Sequence, residues 1–273
     1  MPGVILAVPD RPECAAEVLA AAECLAQLTR STRINVLAIR LPPEATISSE
    51  EILTREREFR IRTAEQRRAE ELRRTFDAWW ASRSPESAMV AESFDIEGMA
   101  DRLIDEWGRR ADFVVLERPT RRWLQADHRA IRAALFETDR PVLVVPAESS
   151  VPFGRRIAIA WRDDGRTIKA VLSVLRWAGR AEEIHVLAGV RDAAAPPRVP
   201  EILDEHGIAA TLHVLPITGQ QAFGEALLNK AHAIGADMLA MGAFARHPIR
   251  SLILGGVTRY MLGHSDLPVL MRH

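Results

Sequence analysis

The stretch Ala111-Asp112-Phe113-Val114-Val115-Leu116 returns as Ala236-Asp237-Met238-Leu239-Ala240-Met241, an Ala-Asp pair leading into an apolar run each time. A second mark follows each copy: Asp139-Arg140-Pro141-Val142-Leu143-Val144, and then Asp266-Leu267-Pro268-Val269-Leu270-Met271. The offsets are 125 and 127 residues, so the chain reads as a duplication with little change of length. Each half opens on a similar strand, Val4–Val8 in the first and Ile157–Trp161 in the second. The Pro- and Ser-containing run Pro146-Ala147-Glu148-Ser149-Ser150-Val151-Pro152 reads as a linker, which bounds the domains at 1–147 and 153–273.

Within each half, short apolar runs alternate with longer segments of helical period, the pattern of βαβ units on a parallel sheet. The strands expected in the first half are Val4–Val8, Ile34–Ile39, Ala88–Glu92, Phe113–Leu116 and Val142–Val145. Those in the second are Ile157–Ala160, Ile184–Ala188, Ala209–Leu215, Met238–Met241 and Val269–Met271, with helices near 165–179, 199–206, 220–235 and 256–263. The expected fold is two tandem α/β domains of Rossmann-like or flavodoxin-like type, each with a five-stranded parallel sheet. The last strands, Val142–Val145 and Val269–Met271, are short and apolar, and such edges invite pairing.

One segment separates the halves. Ser48 to Trp80 is a long charged stretch without Gly or Pro that reads as an extended helix, with Leu72, Phe76 and Trp79 as an apolar stripe near its end. Between Glu50 and Trp80 eight Arg balance eight acidic residues, and Glu51→Arg55, Glu56→Arg60, Glu58→Arg62 and Glu70→Arg74 are favourable i,i+4 pairs. Such balance marks a solvated face or a protein-docking surface.

The formal charge of −1 leaves no global field for nucleic acid or an anionic membrane, so neither is an expected partner. No apolar run approaches the ~18–20 residues needed to span a bilayer, and the chain opens directly on a strand, so a cytoplasmic location is expected. Cys14 and Cys24 lie on one predicted helix, roughly 15 Å apart and beyond disulfide reach. The histidines show no metal-ligand spacing. No nucleophile elbow, Walker loop or Gly-x-Gly-x-x-Gly run occurs, and the chain is not expected to be an enzyme. His232-Ala233-Ile234-Gly235 lacks the second His of the His-Ile-Gly-His signature of nucleotidyl transferases and precedes the wrong strand.

The informative loop runs from Met241-Gly242-Ala243 through Ala245 to Leu254-Gly255-Gly256-Val257-Thr258-Arg259, leaving an apolar strand and entering a helix. In open α/β sheets ligands bind at that end of the strands, and free N–H groups at a helix start favour an anion. This loop resembles that of ATP-binding universal stress proteins, which carry a Gly, two residues, a Gly, nine residues, then Gly followed by Ser or Thr. Gly242 and Gly255 match; Ala245 and Gly256 depart. In those proteins an Asp ending the first strand helps hold the nucleoside, whereas Trp161 stands at the most natural equivalent here, to stack on a base or to pack as a rim aromatic.

The resemblance implies an adenine nucleotide alpha hydrolase-like fold and a nucleotide site for ATP or AMP in the second half, at Met241, Gly242, Gly255, Gly256 and Val257. It implies a stress-response or signalling role through unidentified protein partners, with the two halves paired about a pseudo-twofold axis and a homodimer as a further assembly. In the first half Glu117 replaces Gly242, Thr120 replaces Ala245 and His128-Arg129 replace Gly255-Gly256, so that copy reads as degenerate. A protein-interaction module of the same fold that binds no nucleotide is the alternative.

Overall fold

The computed structural model describes residues 3–46, 52–83, 88–119, 129–148, 152–190, 197–217, 219–243 and 254–273. Its contacts form two compact units. The first reaches to Glu117 and takes in the segment up to Arg140; the second holds Pro141–His273 together with Arg118.

The first unit runs β1 (Gly3–Val8), α1 (Ala15–Thr29), β2 (Ser31–Arg40), α2 (Arg55–Ala81), β3 (Val90–Glu97), α3 (Ala100–Gly108), β4 (Phe113–Glu117) and α4 (Arg129–Phe136). Its strands are parallel in the order β3-β2-β1-β4. Ile5, Leu6 and Ala7 of β1 and Phe113, Val114 and Val115 of β4 are fully buried, as central strands covered on both faces must be. α1 buries Val18, Leu19 and Leu25 and ends at Arg30, whose left-handed φ of 56° closes the last turn onto Ala26.

The charged stretch does form a long helix, with Thr54 as its cap: its hydroxyl accepts from Arg57 N at 3.3 Å. It therefore begins at Arg55; Ser48 to Glu51 lie outside the described residues. Its buried stripe is Ala69, Leu72 and Phe76, with Leu72 clustered against Ala15 and Ala38, while Trp79 is only half-buried. Arg62 meets Glu58 at 3.2 Å as expected; Arg74 reaches Glu71 and the Glu70 carbonyl instead of the Glu70 carboxylate.

The strand expected at Ala88–Glu92 is displaced to Val90–Glu97. Its second half looks like loop because it alternates charges, but those charges pair across to β2. Arg33 meets Glu92 at 2.9 Å, and Arg40 holds both Asp95 (2.6 Å) and Glu97 (3.0 Å). Cys14 and Cys24 are buried free thiols.

The second unit contains β5 (Val142–Val145), β6 (Arg156–Trp161), α5 (Gly165–Ala178), β7 (Glu183–Val190), α6 (Glu201–Glu205), β8 (Thr211–Pro216), α7 (Gln220–Ala233), β9 (Met238–Gly242), α8 (Gly256–His264) and β10 (Val269–Arg272). Five strands are parallel in the order β8-β7-β6-β9-β10. β5 sorts with this unit because it runs antiparallel along β10, Val144 opposite Val269 and Val142 opposite Met271. The two short apolar strands thus pair with each other.

The repeated Ala-Asp has a clear role. Asp112 Oδ2 accepts from Val4 N at 2.8 Å, tying the start of β1 to the start of β4. Asp237 does the same for β6, accepting from Gly154 N (2.7 Å), Arg155 N (2.9 Å) and Arg156 N (3.0 Å). Backbone N–H groups at the head of a strand have no ladder partner, so a carboxylate there satisfies them. No helix among the described residues is long and apolar enough to cross a membrane.

Candidate functional site

Three strands of the second unit end level with one another. Ala160 of β6 lies beside Met241 of β9, and Trp161 lies beside Ala188 of β7. Over these ends opens a cavity of about 1000 Å³, at the upper end of what ligand pockets enclose. Met241, Gly242, Gly255, Gly256 and Val257 all line it, so the five residues picked from the loop motif come together at one place. Ala245 lies outside the described residues.

Each wall has a local cause. Gly255 caps α8 at φ −58° and ψ 149°, a conformation open to any residue, so glycine is not required there for its φ. Gly255 has no side chain to cap this helix, and Gly256, Val257 and Thr258 of its first turn line the cavity, at the end of the helix whose dipole favours an anion. α5 starts at Asp164, whose Oδ1 accepts from Arg166 N (3.1 Å) and Thr167 N (3.0 Å). The opposite wall is Pro197–Ile202 with Glu205, and Ile217 and Phe223 complete the apolar lining. At Gly189 an added Cβ would stand 2.6 Å from Phe223 Cζ and 2.7 Å from Ile217 Cδ1, so only glycine lets these two side chains close over the end of β7.

The cavity is amphipathic. Trp161, Ile168, Ile217 and Phe223 suit a flat apolar group, whereas Arg162, Arg198 and the start of α8 suit an anion. Asp163, Glu201 and Glu205 oppose that anion from the same rim. Arg162 is itself engaged by Asp164 at 3.4 Å. Trp161 is half-buried at the mouth, so both of its readings retain a place.

Strand register locates the corresponding place in the first unit. Ile5 faces Phe113 and Ile34 as Ile157 faces Met238 and Ile184, which puts Asp10, Ile39 and Glu117 where Arg162, Gly189 and Gly242 stand. There the space is taken by a charge network. Arg11 Nε donates to Glu117 Oε1 at 2.9 Å, with its backbone N at 3.4 Å from Oε2. From α2, Arg68 donates to Asp10 Oδ1 (3.1 Å), to the Asp10 carbonyl (2.8 Å), to Glu65 Oε2 (2.8 Å) and to the Ile39 carbonyl. Glu65 Oε2 in turn accepts from Leu41 N at 2.8 Å.

Burial pushes the Glu117 carboxyl up to about 7, against the pull of Arg11 and with a further push from Asp10. Burial likewise raises Asp10, with Arg68 opposing. The Cys14 thiol, buried beside this network, rises to about 11 and is not a reactive thiolate.

Sequence reasoning marks the first copy as degenerate at Glu117 but does not reach that residue's partners. Arg68 was counted with a solvated face, yet its side chain is only 18% exposed. The signal was available in helical spacing: Glu65 lies four residues before Ala69 and Arg68 four before Leu72, in line with the buried stripe. The remaining candidates are structural. His232 Nε2 pairs with Asp266 at 2.8 Å, and Gly235, at φ +65°, ends the turn after α7. Thr120 and His128 lie outside the described residues.

Residues 172–273 match the universal stress protein family. Among curated proteins none matches the chain. Among solved structures, a universal stress protein from Archaeoglobus fulgidus DSM 4304 superposes with a TM-score of 0.68 at 13% identity, covering 98% of this chain and 95% of that one. A functionally unknown protein from Pseudomonas aeruginosa PAO1 gives a TM-score of 0.57 at 16% identity, covering 98% and 92%. At these identities the likeness is one of fold.

Proposed function

We propose that, as its residues 172–273 belong to the universal stress protein family, the second unit binds an adenine nucleotide, ATP or AMP, at the ends of β6, β7 and β9. The chain would then act in stress-linked signalling without catalysis of its own. The observation that carries this reading is the convergence of Met241, Gly242, Gly255, Gly256 and Val257 on one amphipathic cavity beside the first turn of α8. The apolar wall takes the base, and the first turn of α8 with Arg162 and Arg198 takes the phosphates. The first unit binds nothing of the kind, since Glu117 and Arg68 occupy its equivalent place.

Three acidic side chains on the rim and the absence of a hydroxyl at Gly256 weaken the hold on distal phosphates, so ATP gains little over AMP. Nucleotide released by heat denaturation of the purified protein, together with calorimetric titration of ATP and AMP, tests this. Gly242→Glu, which installs the carboxylate of the first copy, should lower affinity at least tenfold. Ala245→Gly with Gly256→Ser should tighten ATP more than AMP. Neither released nucleotide nor any heat on titration would leave the interaction module as the reading.

A further inference from the structure

A second constellation in this unit is untouched by the cavity, which neither of its histidines lines. On the parallel pair β7 and β8, His185 sits opposite Thr211 and Leu187 opposite His213, so the two imidazoles are diagonal neighbours on one sheet face. His185 Nδ1 lies 3.2 Å from His213 Nε2. The other nitrogen of His185, Nε2, lies 2.9 Å from Glu183 Oε2. A carboxylate accepts only, so Nε2 of His185 carries the hydrogen and the Nδ1 lone pair faces His213.

Two nitrogens bound to one tetrahedral ion at ~2.0–2.1 Å stand roughly 3.3 Å apart, the spacing seen between these rings. A carboxylate on the far nitrogen is the partner that metal-bound imidazoles take, because it fixes the tautomer and raises ligand basicity. His213 is half-buried on β8, which among the described strands pairs only with β7, so water has access from the sheet edge.

We propose that His185 and His213 form a two-imidazole site for a zinc-class divalent transition-metal ion, with Glu183 orienting His185 and water completing the coordination sphere. Imidazole ligands suit such ions, and alkaline-earth ions prefer oxygen. Among the described residues no group of three or more His, Cys, Asp or Glu gathers around a metal position, so this site has two protein ligands and exchanges its ion readily. Arg156 shares Glu183 at 3.4 Å, and Lys230 adds a positive charge nearby; both hold affinity down.

The test is calorimetric titration of the full chain, free of any affinity tag, with zinc chloride at neutral pH. It is paired with ¹⁵N resonances of the histidine rings. One zinc per chain is expected, shifting His185 Nδ1 and His213 Nε2. His213→Gln should lose at least tenfold in affinity. Glu183→Gln should lose about tenfold or more while keeping both ligands, the loss expected of an outer partner. Lys230→Gln should tighten binding, and His206→Gln should leave it unchanged. Equal zinc affinity in wild type and His213→Gln, unmoved ring nitrogens, or no uptake at millimolar zinc would overturn the proposal.

Discussion

Glu117 makes the first unit less stable as pH rises. Its side chain is 10% exposed, and burial lifts its carboxyl from the usual 4.5 to about 7. The folded chain therefore holds a proton that the unfolded chain releases between these values. Stability is fully present below about 4.5 and declines as pH climbs through about 7. At about 1.36 kcal/mol per pKa unit, the shift amounts to on the order of 3 kcal/mol by pH 8, with Asp10 adding to it in the same direction. Glu117→Gln removes the ionisation while its amide oxygen still accepts from Arg11. The variant should match wild type at pH 5 and exceed it by about 1–2 kcal/mol at pH 8, since part of the gain is lost with the ion pair. Urea unfolding at half-unit steps from pH 5 to pH 8 measures this, and the ¹³C carboxyl resonance of Glu117 gives its midpoint directly. Parallel pH profiles for the two proteins, or a carboxyl that titrates near 4.5, would refute the reasoning.

Two further predictions concern the scaffold. Phe76→Ala should cost ~3–5 kcal/mol in denaturant unfolding because the ring is buried, whereas Arg60→Ala, at an exposed position of α2, should stay within about 0.5 kcal/mol; equal losses would show the stripe misassigned. Asp237→Ala strands the backbone N–H groups of Gly154, Arg155 and Arg156. Unfolding should show a loss of more than about 2 kcal/mol, and a loss under about 0.5 kcal/mol would remove the strand-tying role assigned to Asp237.

The parallel fold was legible because its strands are buried on both faces and so read as unbroken apolar runs, as Phe113–Leu116 and Met238–Met241 do. The repeated Ala-Asp marked the duplication without disclosing its purpose, which appears only when the N–H groups of Gly154, Arg155 and Arg156 are seen on one carboxylate. β3 was misplaced because its residues are chosen for ion pairs with Arg33 and Arg40, partners some sixty residues away that no local pattern reveals. The glycine spacing located the cavity, but its far wall did not show: Pro197–Glu205 is a short connection whose place depends on the whole β7–β8 crossover. The His185–His213 contact was equally hidden, since it joins residues 28 apart through strand register alone.

The largest sequence difference between the halves also accounts for the difference at their strand ends. Both copies cross from their second strand to their third over the same strand ends. In the second, the described crossover carries a helix of five residues, α6, and the ends of β6, β7 and β9 remain open beneath it. In the first the crossover is the 27-residue α2, whose buried stripe fixes the helix on the sheet and thereby sets Glu65 and Arg68 over Asp10 and the Ile39 carbonyl. Once Arg68 stands there, carboxylates at 10 and 117 become neighbours a cation and Arg11 can satisfy, where glycine at 117 would leave a void. The long helix and the filling of the first unit's strand ends therefore go together, and shortening α2 alone would not open a cavity there: Glu117 and Ile39 would still stand where the second unit has glycine.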